Sequence, residues 1–103
     1  ARRYGRLRLL LGHSFNDRWH EAIEVAREFP HVWLELTSVL GRHGVLELFC
    51  EKVGSSRLLY GTDLPWFDEH QEIGAVFSAD ITDDDRHNIL HRNAEKVLRG
   101  LNR

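Results

Sequence analysis

Three short apolar runs begin at intervals of about 25 residues, and that spacing limits the chain to very few folds. The runs are LRLLLGHSF from Leu7 to Phe15, HVWLELTS from His31 to Ser38, and LLY from Leu58 to Tyr60. Short continuous apolar segments of this kind are the pattern of strands buried on both faces. The stretches between them have helical periodicity. Trp19, Ala22, Ile23, Ala26 and Phe29 recur every three or four residues after a cap at Asn16 or Asp17, and Pro30 ends that helix. Val45, Leu46, Phe49 and Val53 mark a second helix between Gly44 and Gly54. A shorter helix is expected over Gln71 to Ser78. The last helix is capped by Thr82, with Asp85 three residues on as a short-armed capping box, and turns Ile89, Leu90, Ala94, Val97 and Leu98 inward. Strands alternating with crossover helices form a parallel sheet with right-handed connections. Three parallel strands leave two free edges, an arrangement rare in isolation, so the chain reads as part of a larger barrel. A closed eight-stranded α/β barrel needs roughly 250 residues, and this chain has 103.

The ends of the strands carry the chemistry. The third strand runs into LLYGTDLP, which delivers Asp63 to the C-terminal edge of the sheet, where α/β enzymes place their sites. The first ends in Gly12-His13-Ser14. Strict alternation puts Leu7, Leu9, Leu11 and His13 on one face, and Leu59, Gly61 and Asp63 on one face. In the middle strand the aliphatic set Val32, Leu34 and Leu36 meets the helices, which turns Trp33, Glu35 and Thr37 toward the side of His13 and Asp63. Glu35 either joins that rim or pairs with an arginine such as Arg42. His43, in the loop after the second strand, reads as a substrate contact beside Arg42. A lone strand-end histidine or aspartate is an ordinary turn residue, but the two in register on one face point to a metal-dependent active site. His20, His31, His70, His87 and His91 show no spacing that suggests a joint metal site. The acidic run Asp80, Asp83, Asp84 and Asp85 sits where a helix N-terminus favours carboxylates, so it reads as capping rather than cation binding.

Composition excludes several classes. A net charge of -2 is not the electrostatic footprint of a nucleic-acid platform. Arg2, Arg3, Arg6 and Arg8 read as a solvated lead-in to the first strand. The single cysteine, Cys50, forbids an intrachain disulfide and lies in the apolar stretch VLELFCEKV as a small core residue. No apolar run reaches the ~18 residues of a membrane span, and no signal-peptide cleavage pattern follows the basic start. A soluble, cytoplasmic protein is expected. No strand is followed by a glycine-rich phosphate loop, which sets a nucleotide-binding domain aside.

LLLGHS, VWLELTS, VGSSRLLYGTDLPW and ITDDDRHNILHRNAEKVL together resemble the C-terminal part of the amidohydrolase superfamily. The branch is the amidohydrolase-related one that includes aminocarboxymuconate-semialdehyde decarboxylase. The resemblance covers Leu7 to Leu98. It implies that the strands are the sixth, seventh and eighth of a TIM-type (β/α)8 barrel, with residues 1–103 forming the C-terminal fragment of a single barrel domain. It also implies a divalent metal, zinc most often, with Asp63 as ligand and proton shuttle. His13 then polarises substrate or bound water, and is itself a ligand in binuclear members. The superfamily's His-x-His pair and fifth-strand ligand have no counterpart in these residues. The implied activity is hydrolysis of an amide, ester or lactone, or decarboxylation of an acid. The implied partners are a small-molecule substrate and the remainder of the barrel, with homo-oligomerisation left open and neither nucleic acid nor membrane involved. The alternative from another class is a stand-alone, non-catalytic α/β interaction module.

Overall fold

The computed structural model describes residues 1–99. Its elements follow the order set by the apolar runs: β1 (Leu9–Leu11), α1 (Trp19–Glu28), β2 (Val32–Glu35), α2 (Val45–Lys52), β3 (Leu58–Leu59) and α3 (Glu69–Ser78). A last helical stretch comprises α4 (Asp83–His87), a wide π-type turn over Asn88–Arg92, and α5 (Asn93–Arg99). The sheet is parallel throughout, in the order β1-β2-β3. Among the described residues no helix is long and apolar enough to cross a membrane.

The strands are shorter than their apolar runs, because each chain leaves the ladder as soon as it reaches the C-terminal edge. Register pairs Leu9 with Val32, Leu10 with Trp33 and Leu11 with Leu34. Leu9 and Leu11 therefore share the helix-facing side with Val32 and Leu34, and the expected sharing of a face with His13 is overturned. The chain turns sharply at Gly12, so alternation does not carry through to the histidine. Burial of β1 on both faces is also corrected: Leu10 is 48% exposed, and Leu7, outside the strand, is exposed too. Val32, Leu34 and Leu36 are fully buried, as the alternation of β2 requires.

The core lies on the helix side of the sheet. Ala22, Ile23 and Ala26 of α1, Val45, Leu46 and Phe49 of α2, and Val76 of α3 close over Leu34, Leu36 and Leu58. Each large aliphatic or aromatic side chain buried there contributes about 1.5–3 kcal/mol. Helix α1 begins at Arg18 without a side-chain cap, so neither Asn16 nor Asp17 fills the role expected of it. Its other end is capped at long range. Arg57 donates to the carbonyls of Phe29 (3.1 Å) and Ala26, which have no partners inside the helix. Burial pushes the Arg57 pKa down from its ordinary value. Helix α3 starts two residues earlier than its periodicity suggests, because Asp68 caps it by accepting from the His70 amide at 2.9 Å. At Thr82 the capping box forms as read: the Asp85 amide donates to Thr82 Oγ1, and the Thr82 amide donates to Asp85, both at 3.1 Å.

The π-type turn ties the last helix to the sheet. The extra residue in that turn rotates everything after it back by roughly one residue, about 100°. Ile89, Asn93 and Val97 line up inward, and Leu98, expected inward, is 59% exposed. The Ile89 carbonyl accepts the Tyr60 amide at 3.2 Å, which prolongs the hydrogen bonding of β3 into the helix. Asn93, fully buried, donates to the carbonyls of Ser55 (2.6 Å) and Leu58 (2.8 Å). Asn88 donates to Ser55 Oγ at 3.0 Å. At the N-terminal side, Arg8 donates to the Val97 carbonyl at 2.5 Å, so one of the four leading arginines holds the far end of the chain.

Helix α3 carries an unusual core residue. Glu72 is 3% exposed, and its Oε2 has no hydrogen-bond partner among the described residues. Burial, and secondarily the charge of Glu35, raises its pKa above the ordinary carboxylate value.

Two outcomes are expected in the full-length protein. Asn93→Ala removes the side-chain donor from the buried Leu58 carbonyl and one of the two donors to the Ser55 carbonyl, which keeps the Leu58 amide, and should lower urea-measured stability by about 1–3 kcal/mol; an unchanged denaturation midpoint would show the anchor is dispensable. Glu72, with its folded pKa raised, contributes stability that is complete below the unfolded carboxylate pKa and is lost as pH rises through the folded value. The stability of Glu72→Gln relative to wild type should therefore improve from pH 4 to pH 8. A difference that is flat with pH would contradict the raised pKa.

Candidate active site

Past Leu11 the backbone leaves the extended region. His13, Ser14, Phe15 and Asn16 all have positive φ, between 45° and 63°, and so do Ser38 after β2 and Asp63 after β3. Non-glycine residues in that region are held there at a cost of order 1–3 kcal/mol each, and such residues cluster at functional sites. Here all six stand just beyond the C-terminal ends of the three parallel strands.

One carboxylate organises this edge. Glu35 Oε2 accepts the His13 amide at 3.0 Å, while Oε1 accepts the Thr37 amide at 2.8 Å and the Thr37 hydroxyl. The Glu35 carbonyl accepts the hydroxyl of Ser14, which is fully buried, at 2.7 Å. Gly61, on β3's continuation, lies against the same carboxylate, and a β-carbon there would collide with Glu35 Oε1 and Thr37 Oγ1. Glu35 therefore faces His13 and Gly61, and does not pair with Arg42. Both its oxygens are taken up in holding the turns that follow β1 and β2.

The His13 ring is oriented by the same turn. Its Nδ1 lies 3.2 Å from the Thr37 carbonyl and 3.4 Å from Ser38 Oγ. A carbonyl oxygen only accepts, so Nδ1 carries the hydrogen and, in the neutral ring, Nε2 carries the lone pair. That nitrogen can accept a proton or a hydrogen bond, or ligate a cation. Asp63 stands two residues past Gly61 with an exposed carboxylate that has no hydrogen-bond partner among the described residues. Its carbonyl accepts the Trp66 amide at 2.9 Å, which closes the turn. The structure thus brings His13, Glu35 and Thr37 into one bonded network, with Asp63 carried to the same edge on the neighbouring strand.

The other candidates lie farther along the loop after β2. Arg42 pairs with Asp17 at 3.1 Å and lines a hollow with Asn16, Ser38 and Phe67. His43 is exposed and lines a second hollow with Gly44, Gln71 and Ala75, which Arg42 also borders. Cys50 is removed from the chemistry, since burial first, then Asp85 and Glu47, pushes its thiol up to about 12. Sequence reasoning missed Ser14, Thr37 as a bonding partner, and Ser38. The only local sign of them was the run of small polar residues after each strand, which any turn also shows. Among the described residues no three His, Cys, Asp or Glu side chains stand together so as to hold a metal ion. One imidazole and one carboxylate do not by themselves fit a metal centre.

No curated protein matches the chain. Among solved structures it is similar to 5-carboxyvanillate decarboxylase LigW from Sphingomonas paucimobilis, with a TM-score of 0.74 and 18% identity over 95% of this chain and 35% of that one. It is also similar to a 2,6-dihydroxybenzoate decarboxylase complexed with 2,6-dihydroxybenzoate, with a TM-score of 0.72 and 18% identity over 95% of this chain and 36% of the other. The chain thus spans about a third of the length of the structures it matches, and its fold is that of part of a TIM-type barrel, as its three consecutive parallel βα units require. A family profile described as amidohydrolase matches residues 1–100. Matched over nearly its whole length by that profile, the chain belongs to the amidohydrolase family.

Proposed function

We propose that this chain contributes the acid-base part of an active site that decarboxylates a hydroxylated aromatic acid, in an enzyme of the cytoplasm. The observation that carries the reading is the pairing of two strained strand ends. His13 and Asp63, both at positive φ, are presented at the same edge of one parallel sheet. Decarboxylation is favoured over amide or ester hydrolysis because both solved structures named above are decarboxylases.

In this reading Asp63 relays a proton from solvent to the ring carbon that bears the substrate carboxylate. The bond from that carbon to the carboxylate then breaks, its electron pair restores the aromatic ring, and carbon dioxide leaves. Asp63 recovers a proton from solvent. The net change is replacement of the carboxylate by hydrogen with consumption of one proton. His13 accepts a hydrogen bond at Nε2 from a substrate hydroxyl, its ring fixed by the Thr37 carbonyl. Arg42 offers its remaining N-H groups to an anionic substrate, and His43 borders the same loop. Glu35 acts through His13, by holding the turn that aims it. Superfamily members generally use a divalent metal. The zinc implied by the resemblance stays outside these steps, since the residues present do not make up its donor set.

The test is turnover of the full-length protein on hydroxylated benzoates, followed by carbon dioxide release. Asp63→Asn should lower turnover at least ~100-fold, the lower range for losing a positioned general acid. His13→Asn, which keeps a residue tolerant of positive φ, should lower it while leaving the fold intact by circular dichroism. Activity within a factor of two of wild type in Asp63→Asn would sink the assignment.

A further inference from the structure

The outer face of the C-terminal helical stretch carries a second arrangement of chemical groups, unrelated to the strand ends. The four-residue interval between His87 and His91 says little as bare sequence, but the helix turns both rings to the same side. His87 Nδ1 lies 3.1 Å from His91 Nε2, with the rings edge to face and their centroids 5.4 Å apart. Four residues farther, Glu95 Oε1 lies 3.2 Å from His91 Nδ1. All three side chains are exposed.

The hydrogen-bond order along this line is determined. A carboxylate only accepts, so His91 Nδ1 carries a hydrogen for Glu95, and in the neutral ring Nε2 holds a lone pair. That lone pair faces His87 Nδ1. Two imidazole nitrogens on a tetrahedral zinc ion, each 2.0–2.1 Å from the metal, stand about 3.3 Å apart. The observed separation is within a few tenths of an ångström of that bite, so a small rotation of exposed rings converts one shared proton into one shared cation. The carboxylate behind His91 is the partner that metal-bound histidines ordinarily have, fixing the tautomer and raising the basicity of the ligating nitrogen. Of the neighbouring cations, Arg92 is held by Asp84 at 2.7 Å, and Arg99 lies on the far oxygen of Glu95 at 3.5 Å.

We propose that His87 and His91 form a two-imidazole site for a divalent transition cation, zinc foremost, with Glu95 as the residue that positions His91. Water fills the remaining coordination positions. Imidazole donors select zinc, nickel and copper over magnesium and calcium, whose preference is for oxygen. Among the described residues none of its three side chains bonds to His13 or Asp63, and it does not depend on the proposed reaction.

The experiment is calorimetric titration of untagged full-length protein with zinc chloride, in wild type and in a variant with both His13→Asn and Asp63→Asn. Both should show a binding event of one equivalent beyond any zinc taken up at the barrel's own site. His87→Gln or His91→Gln should abolish that event, and Glu95→Gln should weaken it by about tenfold, the lower range for losing an outer-shell carboxylate. Magnesium chloride should give no binding. A readout free of substitutions is diethylpyrocarbonate labelling of wild type followed by mass spectrometry, in which zinc should protect His87 and His91 together. Unchanged zinc binding in folded His87→Gln and His91→Gln, or no protection of either ring, would overturn the proposal.

Discussion

The Glu35 carboxylate is the interaction on which the C-terminal edge of this sheet depends. Two oxygens on one side chain receive donors from the turns after β1 and β2, and the continuation of β3 closes over them at Gly61. A carboxylate with backbone N-H partners on both oxygens is a rigid object, since moving either loop breaks a charge-assisted hydrogen bond. This explains how short strands, one of them only two residues long, still present their ends in fixed relation. It also explains why the third strand needs a glycine two residues before its aspartate.

The opposite end of the sheet is secured by different chemistry. Asn93 and the widened turn before it supply donors and an acceptor to the segment around β3, so the last helix continues the hydrogen bonding that a neighbouring strand would otherwise provide. Arg57 and Arg8 extend this habit, each capping the carbonyl end of a helix distant in sequence. Helix ends that cannot satisfy themselves are thus satisfied across the fold, and the small core is framed by polar contacts that fix the angle of each helix.

Much of this could be read from the sequence, and the unread part has a common cause. Element order, parallel pairing, the buried side of β2 and the Thr82 capping box follow from local spacing or from residues within one turn of each other. The face of Leu9 and Leu11, the cap of α1 and the outward swing of Leu98 do not. Each is decided by a non-local event: a turn that breaks alternation, an arginine reaching from another element, an extra residue in a helical turn that docks on a strand. The candidate site shows the same division. Asp63 and His13 announce themselves by following apolar strands, but the task of Glu35 is set by two amides 2 and 22 residues away, which no periodicity reveals.

Left-handed backbone at His13 and Asp63 has a consequence for how such a site changes over evolutionary time. Besides glycine, the residues that enter this region at least cost are asparagine, aspartate and histidine. Of those, two have ionisable side chains and the third is the neutral analogue of aspartate. Geometry therefore filters the amino acids available at these positions before any selection on chemistry acts. β-Branched replacements are removed by the fold itself, and the variants that survive folding are drawn from a set already rich in acids and bases. A scaffold of this kind is biased toward keeping, losing or regaining acid-base function by single substitutions.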